Sequence, residues 1–145
     1  MAKIILASHG GLSKGMKDSV SMIVGDLAKD IETYSLLPGQ NPEDFYQEVL
    51  KEAKECEEKE AKECEEQILI LCDIKGGSVH TALSKLAVLD NVMVFSGMNM
   101  GLVLDAVMKG LNGKLELAEA NDLIEAAKDG MTVMNGMTSE DDEDF

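Results

Sequence analysis

The stretch that decides the fold is KIILASHGGLSKG, residues 3–15. Lys3–Ala7 is nearly all apolar and reads as a strand covered on both faces in a parallel sheet. It stops at Ser8-His9-Gly10-Gly11, and from Leu12 the spacing turns helical, with Met16, Val20, Ile23 and Leu27 expected on one face. Strand, glycine turn and helix are the opening of a βαβ unit. One of the two histidines of the chain therefore stands at a strand end, where open parallel sheets bind their ligands.

The same alternation continues. Ile31–Leu37 reads as a second strand, and Pro38-Gly39-Gln40-Asn41-Pro42 as a loop whose last two residues mark a helix start. That helix turns Phe45, Val49 and Ala53 inward. It is expected to run on through Glu52–Lys59 and Glu60–Gln67, an eight-residue duplication (EAKECEEK, EAKECEEQ) read as local sequence slippage. Ile68–Cys72 is the third strand, Gly76-Gly77-Ser78 opens a helix to about Val88, and Val92–Phe95 is the fourth strand. Helices over Met100–Lys109 and Glu116–Lys128 follow, and Met131–Met134 reads as a short last strand. These elements predict an α/β fold: a doubly wound, mostly parallel sheet with helices on both faces. A single domain is expected over residues 1–138, with an acidic disordered tail at 139–145.

Composition narrows the function classes. A hydrophobic content of 45% in 145 residues suits one folded domain with a sizeable core. The apolar runs are too short to span a membrane, and Ile4–Ala7 is too short for the core of a signal peptide. Three cysteines, Cys56, Cys64 and Cys72, make no disulfide framework. Cys56 and Cys64 on one helix would lie ~12 Å apart, too far for a bridge. The expected compartment is the reducing cytoplasm. A net charge of −15 argues against binding nucleic acid or an anionic membrane. Most of that charge lies in residues 43–66 and 140–144, so it marks a solvated helix and a tail rather than the strand ends.

Those ends carry the chemistry. The first strand ends in Ser8-His9-Gly10-Gly11 and the third in Asp73-Ile74-Lys75-Gly76-Gly77-Ser78. If the two strands are neighbours, Asp73 meets His9. A carboxylate that accepts one imidazole N–H fixes the tautomer and stabilises the positive ring, leaving the other nitrogen as a nucleophile. Main-chain N–H groups of Gly10, Gly11, Gly76, Gly77 and Ser78 are expected to bind phosphate, helped by the Ser78 hydroxyl. Ser8, Asn99 and His80 complete a wider candidate pocket. Each residue also has a purely structural alternative. His9 could be a hydrogen-bonding residue at a strand end, Asp73 a turn cap, Ser78 an N-cap, Asn99 a loop-shaping residue and His80 a helix-surface residue.

With these motifs in place, the chain resembles the IIA components of the mannose-type sugar phosphotransferase system over about residues 2–130. The resemblance rests on Ser8-His9-Gly10, Leu36-Leu37-Pro38-Gly39, Asp73-Ile74-Lys75-Gly76-Gly77-Ser78 and Ser96-Gly97-Met98-Asn99, in that order. It implies that His9 accepts phosphate from the histidine-containing phosphocarrier protein and passes it to a IIB component. No IIB-like domain follows in this sequence, so the IIB component is expected on a separate chain. By the same resemblance Asp73 orients His9, Ser78 contacts phosphate, and the protein is a homodimer, often with an exchanged C-terminal strand. No cofactor and no metal are expected. Two positions depart from the family pattern: Val79 and Gly101 stand where proline is usual. A sister branch that donates phosphate to dihydroxyacetone kinase carries Met-Gly-Ser where this chain has Gly-Gly-Ser, which favours the sugar branch.

Three rivals come from other classes. A receiver-type signalling domain would be phosphorylated on Asp73, but needs an acidic pair after the first strand, where Ser8-His9 stands. A hydrolase elbow needs a glycine two residues after Ser78, and His80 stands there. A pure binding module would take no phosphate.

Overall fold

The structure, a computed structural model, describes residues 2–58 and 66–136. Strand β1 (Lys3–His9) is followed by helix α1 (Leu12–Val24), a 3₁₀ turn at Gly25–Ala28, and strand β2 (Glu32–Leu36). Helix α2 (Pro42–Glu58) leads to strand β3 (Ile68–Cys72). Helix α3 (Ser78–Leu83) runs into a second 3₁₀ turn, Ser84–Val88, before strand β4 (Val92–Phe95). Helices α4 (Met100–Gly110) and α5 (Leu117–Asp129) complete the order.

The four strands form one parallel sheet in the order β2-β1-β3-β4. Alternate side chains of β1 and β3 enter two separate cores, which is why Ile4–Ala7 of β1 and the whole of β3 are apolar. Ile4, Leu6, Leu69 and Leu71 pack with α1, α4 and α5 through Val20, Leu102, Val103, Ala106 and Leu123. Ile5, Ala7, Ile70 and Cys72 pack with α2 and α3 through Phe45, Val49, Ala53, Val79 and Leu83. The doubly wound architecture is as expected. Between β1 and β3 the winding changes direction, so their carboxyl ends flank the crevice of the sheet.

Four local expectations are corrected. On α1 the inward positions are Ser13, Met16, Val20 and Val24, whereas Ile23 and Leu27 are exposed. Gly25, at φ +59°, ends the α-helix, so Leu27 no longer follows its period. The helix from Pro42 does not reach Gln67. Its described part ends at Glu58, and the Gln67 side chain instead pairs with both main-chain groups of Leu115 at 2.8 and 2.9 Å. The expected single helix from Ser78 to Val88 divides at Ser84, where the 3₁₀ turn takes over. Met131–Met134 forms no strand within the chain: it has no sheet partner among the described residues and is exposed. Part of the duplicated segment, residues 59–65, and the expected disordered tail lie outside the described residues. Among the described residues no helix is long and apolar enough to cross a membrane.

Candidate active site

At the carboxyl edge of the sheet, β1 and β3 bring His9 and Asp73 together. The β1–β3 ladder ends with the Asp73 N–H donating to the Ala7 carbonyl at 3.1 Å. Beyond it, Asp73 Oδ2 accepts the main-chain N–H of His9 at 2.9 Å and lies 2.8 Å from His9 Nδ1. Asp73 Oδ1 accepts the N–H of Ile74 at 3.0 Å. An ionised carboxylate has no proton to give, so the Nδ1 of His9 is the protonated nitrogen and Nε2 carries the lone pair. Ser78 Oγ lies 3.1 Å from that Nε2, placed to donate to it. The imidazole is thus held at both nitrogens, by a carboxylate from the end of β3 and by a hydroxyl from the start of α3. Its side chain is 47% exposed, against 10% for Asp73.

Electrostatics follow from that geometry. Burial pushes the Asp73 carboxyl up, but the His9 N–H, the His9 ring and the Ile74 N–H more than offset it. The net result holds Asp73 below its ordinary carboxylate value. The neighbouring Cys72 thiol is pushed up to about 12 by burial and by the Asp73 charge, so it is no thiolate at neutral pH. Among the described residues no group of His, Cys, Asp and Glu side chains is placed to hold a metal ion.

The glycine turns require a correction. Three of the five expected phosphate-binding amides are already spent. Gly10 N–H donates to Leu36 O at 2.8 Å, Gly77 N–H to Ile74 O at 3.2 Å, and Gly76 N–H to His80 Nδ1 at 3.1 Å. Gly10 and Gly76 serve the turns through positive φ, +55° and +78°. Among the described residues the N–H groups of Gly11, Leu12, Ser78 and Val79 have no hydrogen-bond partner, which leaves Gly11 and Ser78 of the original five. Leu12 and Val79 were not foreseen as donors; the signal for them is that the first N–H groups of any helix lack an internal acceptor.

The three residues of the wider pocket each have a local hydrogen-bonding role. Ser8 is fully buried, and its hydroxyl accepts from Ser13 N–H at 2.8 Å, so it ties β1 to the first turn of α1. Asn99 is the N-cap of α4, its side-chain oxygen accepting from Leu102 N–H at 2.8 Å. His80 spends its Nδ1 on Gly76. Val79, one of the departures from proline, is fully buried in the core beneath α2 and α3, where its side chain contributes to the packing.

Comparison with known proteins bears on the fold and the family. The EIIA-man family model, described as "PTS system fructose IIA component", matches residues 3–128. Among solved structures, the chain is similar to phosphotransferase system component EIIA from Streptococcus agalactiae. That match has a TM-score of 0.74 and 22% identity, covering 92% of this chain and 97% of the other. The mannose/sorbose specific IIA subunit of Enterococcus faecalis gives a TM-score of 0.71 at 21% identity, covering 94% and 97%. The PTS IIA protein associated with the fucose utilization operon of Streptococcus pneumoniae gives 0.69 at 24% identity, covering 91% and 92%. The structural likenesses establish the shared fold, and the family match over residues 3–128 establishes the lineage: the chain belongs to the EIIA-man family, as a phosphotransferase-system IIA component of the mannose type.

Proposed function

We propose that the chain is a phosphoryl carrier in sugar uptake that uses His9 Nε2 as its acceptor atom. On this reading the donor is the phosphorylated histidine-containing phosphocarrier protein, the recipient is a separate IIB chain, and the exchange takes place in the cytoplasm. The single observation that carries the proposal is the clamp on the imidazole. Asp73 holds the proton on Nδ1, which leaves the Nε2 lone pair at a half-exposed edge of the sheet.

The step balances without a cofactor. As the donor approaches, the Ser78 hydroxyl releases Nε2 and turns its O–H to a phosphoryl oxygen. The Nε2 lone pair attacks phosphorus while the donor's phosphorus–nitrogen bond breaks, and that electron pair returns to the donor imidazole. His9 now bears both the phosphoryl group and the Nδ1 proton, and the Asp73 carboxylate stabilises the resulting positive ring. Free N–H groups at Gly11, Leu12 and Ser78 supply further donors for the transferred group. Transfer to IIB is the same step in reverse sense.

A receiver-type role for Asp73 has less support. Both its oxygens are engaged, Oδ2 by His9 and Oδ1 by Ile74, so neither is a free nucleophile. The Gly-Gly-Ser at residues 76–78 favours the sugar branch over donation to a dihydroxyacetone kinase.

The test is labelling by the phosphorylated phosphocarrier protein in the presence of EDTA. The wild-type chain should be labelled by a phosphoramidate, labile in acid and stable in base, and His9→Gln should abolish the label. A base-labile, hydroxylamine-sensitive label, or one that persists in His9→Gln, would overturn the assignment.

A further inference from the structure

We propose that His80 is a positioning residue for phosphoryl transfer: by holding the Gly76 N–H it fixes the turn that spaces Asp73 from Ser78 around the His9 ring. This rests on the function proposed above. His9 is gripped from both sides, by Asp73 at Nδ1 and Ser78 at Nε2. Those two groups are joined only by the turn Ile74-Lys75-Gly76-Gly77, and the accuracy of the clamp is the accuracy of that turn. Two consecutive glycines make it intrinsically loose, because glycine has the widest choice of φ and ψ.

The turn is pinned from the first turn of α3. Gly76, at φ +78°, donates its N–H to His80 Nδ1 at 3.1 Å, and its carbonyl accepts from Thr81 Oγ1 at 3.4 Å. The Gly77 carbonyl accepts from Thr81 N–H at 2.8 Å. Of these, the bond to His80 is the one that holds the Gly76 N–H. Displacement of the turn is felt at the imidazole directly, since a Cβ on Gly77 would stand 3.2 Å from His9 Cε1. The two histidines are then opposite tautomers. His9 carries its proton on Nδ1 and uses Nε2, whereas His80 must carry its proton on Nε2 so that Nδ1 can accept.

The experiment separates this role from general structural damage. Asparagine places an amide oxygen close to where Nδ1 of histidine sits, and leucine fills similar space with no acceptor. With the phosphorylated phosphocarrier protein as donor, His80→Leu should be phosphorylated about five- to tenfold more slowly, the size of one lost hydrogen bond. The KM for the donor should be unchanged. His80→Asn should stay within about twofold of wild type. In ¹⁵N spectra the His9 ring resonances should move in His80→Leu and not in His80→Asn. In the wild-type chain at neutral pH the His80 Nδ1 should be the unprotonated nitrogen. A wild-type rate in His80→Leu, an equal loss in His80→Asn, or a proton on His80 Nδ1 would each overturn the proposal. The last measurement needs no variant and decides the question even if His80→Leu does not fold. If the wild-type chain accepts no phosphate, the function reading fails, and the ring resonances alone judge the role of His80.

Discussion

Asp73 Oδ2 receives two hydrogen bonds from a single residue, the main-chain N–H of His9 at 2.9 Å and its ring Nδ1 at 2.8 Å. In a continuing parallel ladder, the N–H of His9 would be taken by the main-chain carbonyl of residue 73. The carboxylate has taken that rung instead. One oxygen atom therefore registers the strand and sets the imidazole tautomer, so the sheet itself aims the ring. Lys3, at the far end of β1, is bound between Glu32 and Glu52, and the strand is anchored at both ends.

Asp73→Asn should slow phosphorylation by ~10- to 10³-fold. The amide can turn its NH₂ toward the ring and favour the wrong tautomer, and in either orientation it lacks the charge that stabilises the positive ring. Loss of an orienting carboxylate costs on the order of 10⁴-fold in a serine-protease triad. A smaller effect is expected here because the imidazole is itself the nucleophile. Stability gives a second readout. The Asp73 carboxyl lies below its ordinary value in the folded chain, against ~3.9 unfolded, so its contribution is fully present above about pH 4. That contribution is lost as pH falls through the folded value. Denaturant titrations of wild type and Asp73→Asn should converge in acid. A wild-type transfer rate in the variant would reduce Asp73 to a turn cap.

The strand framework was legible because β1 and β3 are buried on both faces, which writes continuous apolar runs into Ile4–Ala7 and Ile68–Cys72. The approach of His9 to Asp73 was legible on one condition, that β1 and β3 are neighbours, and the order β2-β1-β3-β4 meets it. The fate of the glycine amides was not. Whether Gly10 or Gly76 has a free N–H depends on Leu36 O and His80 Nδ1, and such tertiary partners leave no trace in periodicity. Asn99 follows a strand end, and its oxygen turns back to Leu102 as an N-cap. The capping preference of asparagine was the signal that pointed there. On α1 Met16 and Val20 were placed correctly, but Val24 rather than Ile23 turns inward, and Gly25 ends the helix before Leu27.

Gly77→Ala should impair transfer through a single methyl group. Gly77 has φ −68° and ψ 166°, a conformation open to alanine, so the cost lies in contact rather than backbone strain. The new Cβ would meet Ile74 Cγ2 at 2.7 Å and His9 Cε1 at 3.2 Å. Relief requires Ile74 to change rotamer or the imidazole to tilt off its clamp. Overpacking of this kind costs ~1–3 kcal/mol, and a tilt at the reacting nitrogen lowers the rate further. Chemical denaturation and single-turnover phosphorylation would measure the two effects. Gly10→Ala is the contrast: a Cβ there meets nothing within 4 Å, and its cost is that of a side chain at φ +55°, about 1–2 kcal/mol. If Gly77→Ala matched wild type in both measurements, the close approach to His9 would carry no functional weight.

The segment after α5 predicts assembly. Met131, Val133 and Met134 are 73%, 90% and 62% exposed, apolar side chains left in water within one short segment. Among the described residues the sheet has two open edges, β2 and β4, each offering main-chain groups to a further strand. A homodimer in which this segment pairs with the partner's sheet satisfies both deficits at once. Two reciprocal exchanges would bury six such side chains, a gross gain on the order of 10 kcal/mol. That gain is comparable with the estimated ~4–15 kcal/mol cost of bringing two chains together. Light scattering should give twice the 15.7 kDa chain mass at micromolar concentration, and deletion of residues 130–145 should give a monomer. His9 should remain phosphorylatable in that monomer, because Asp73, Ser78 and His80 all come from the same chain as His9. A full-length chain that is already monomeric, and stays so after the deletion, would show that the apolar segment has another use.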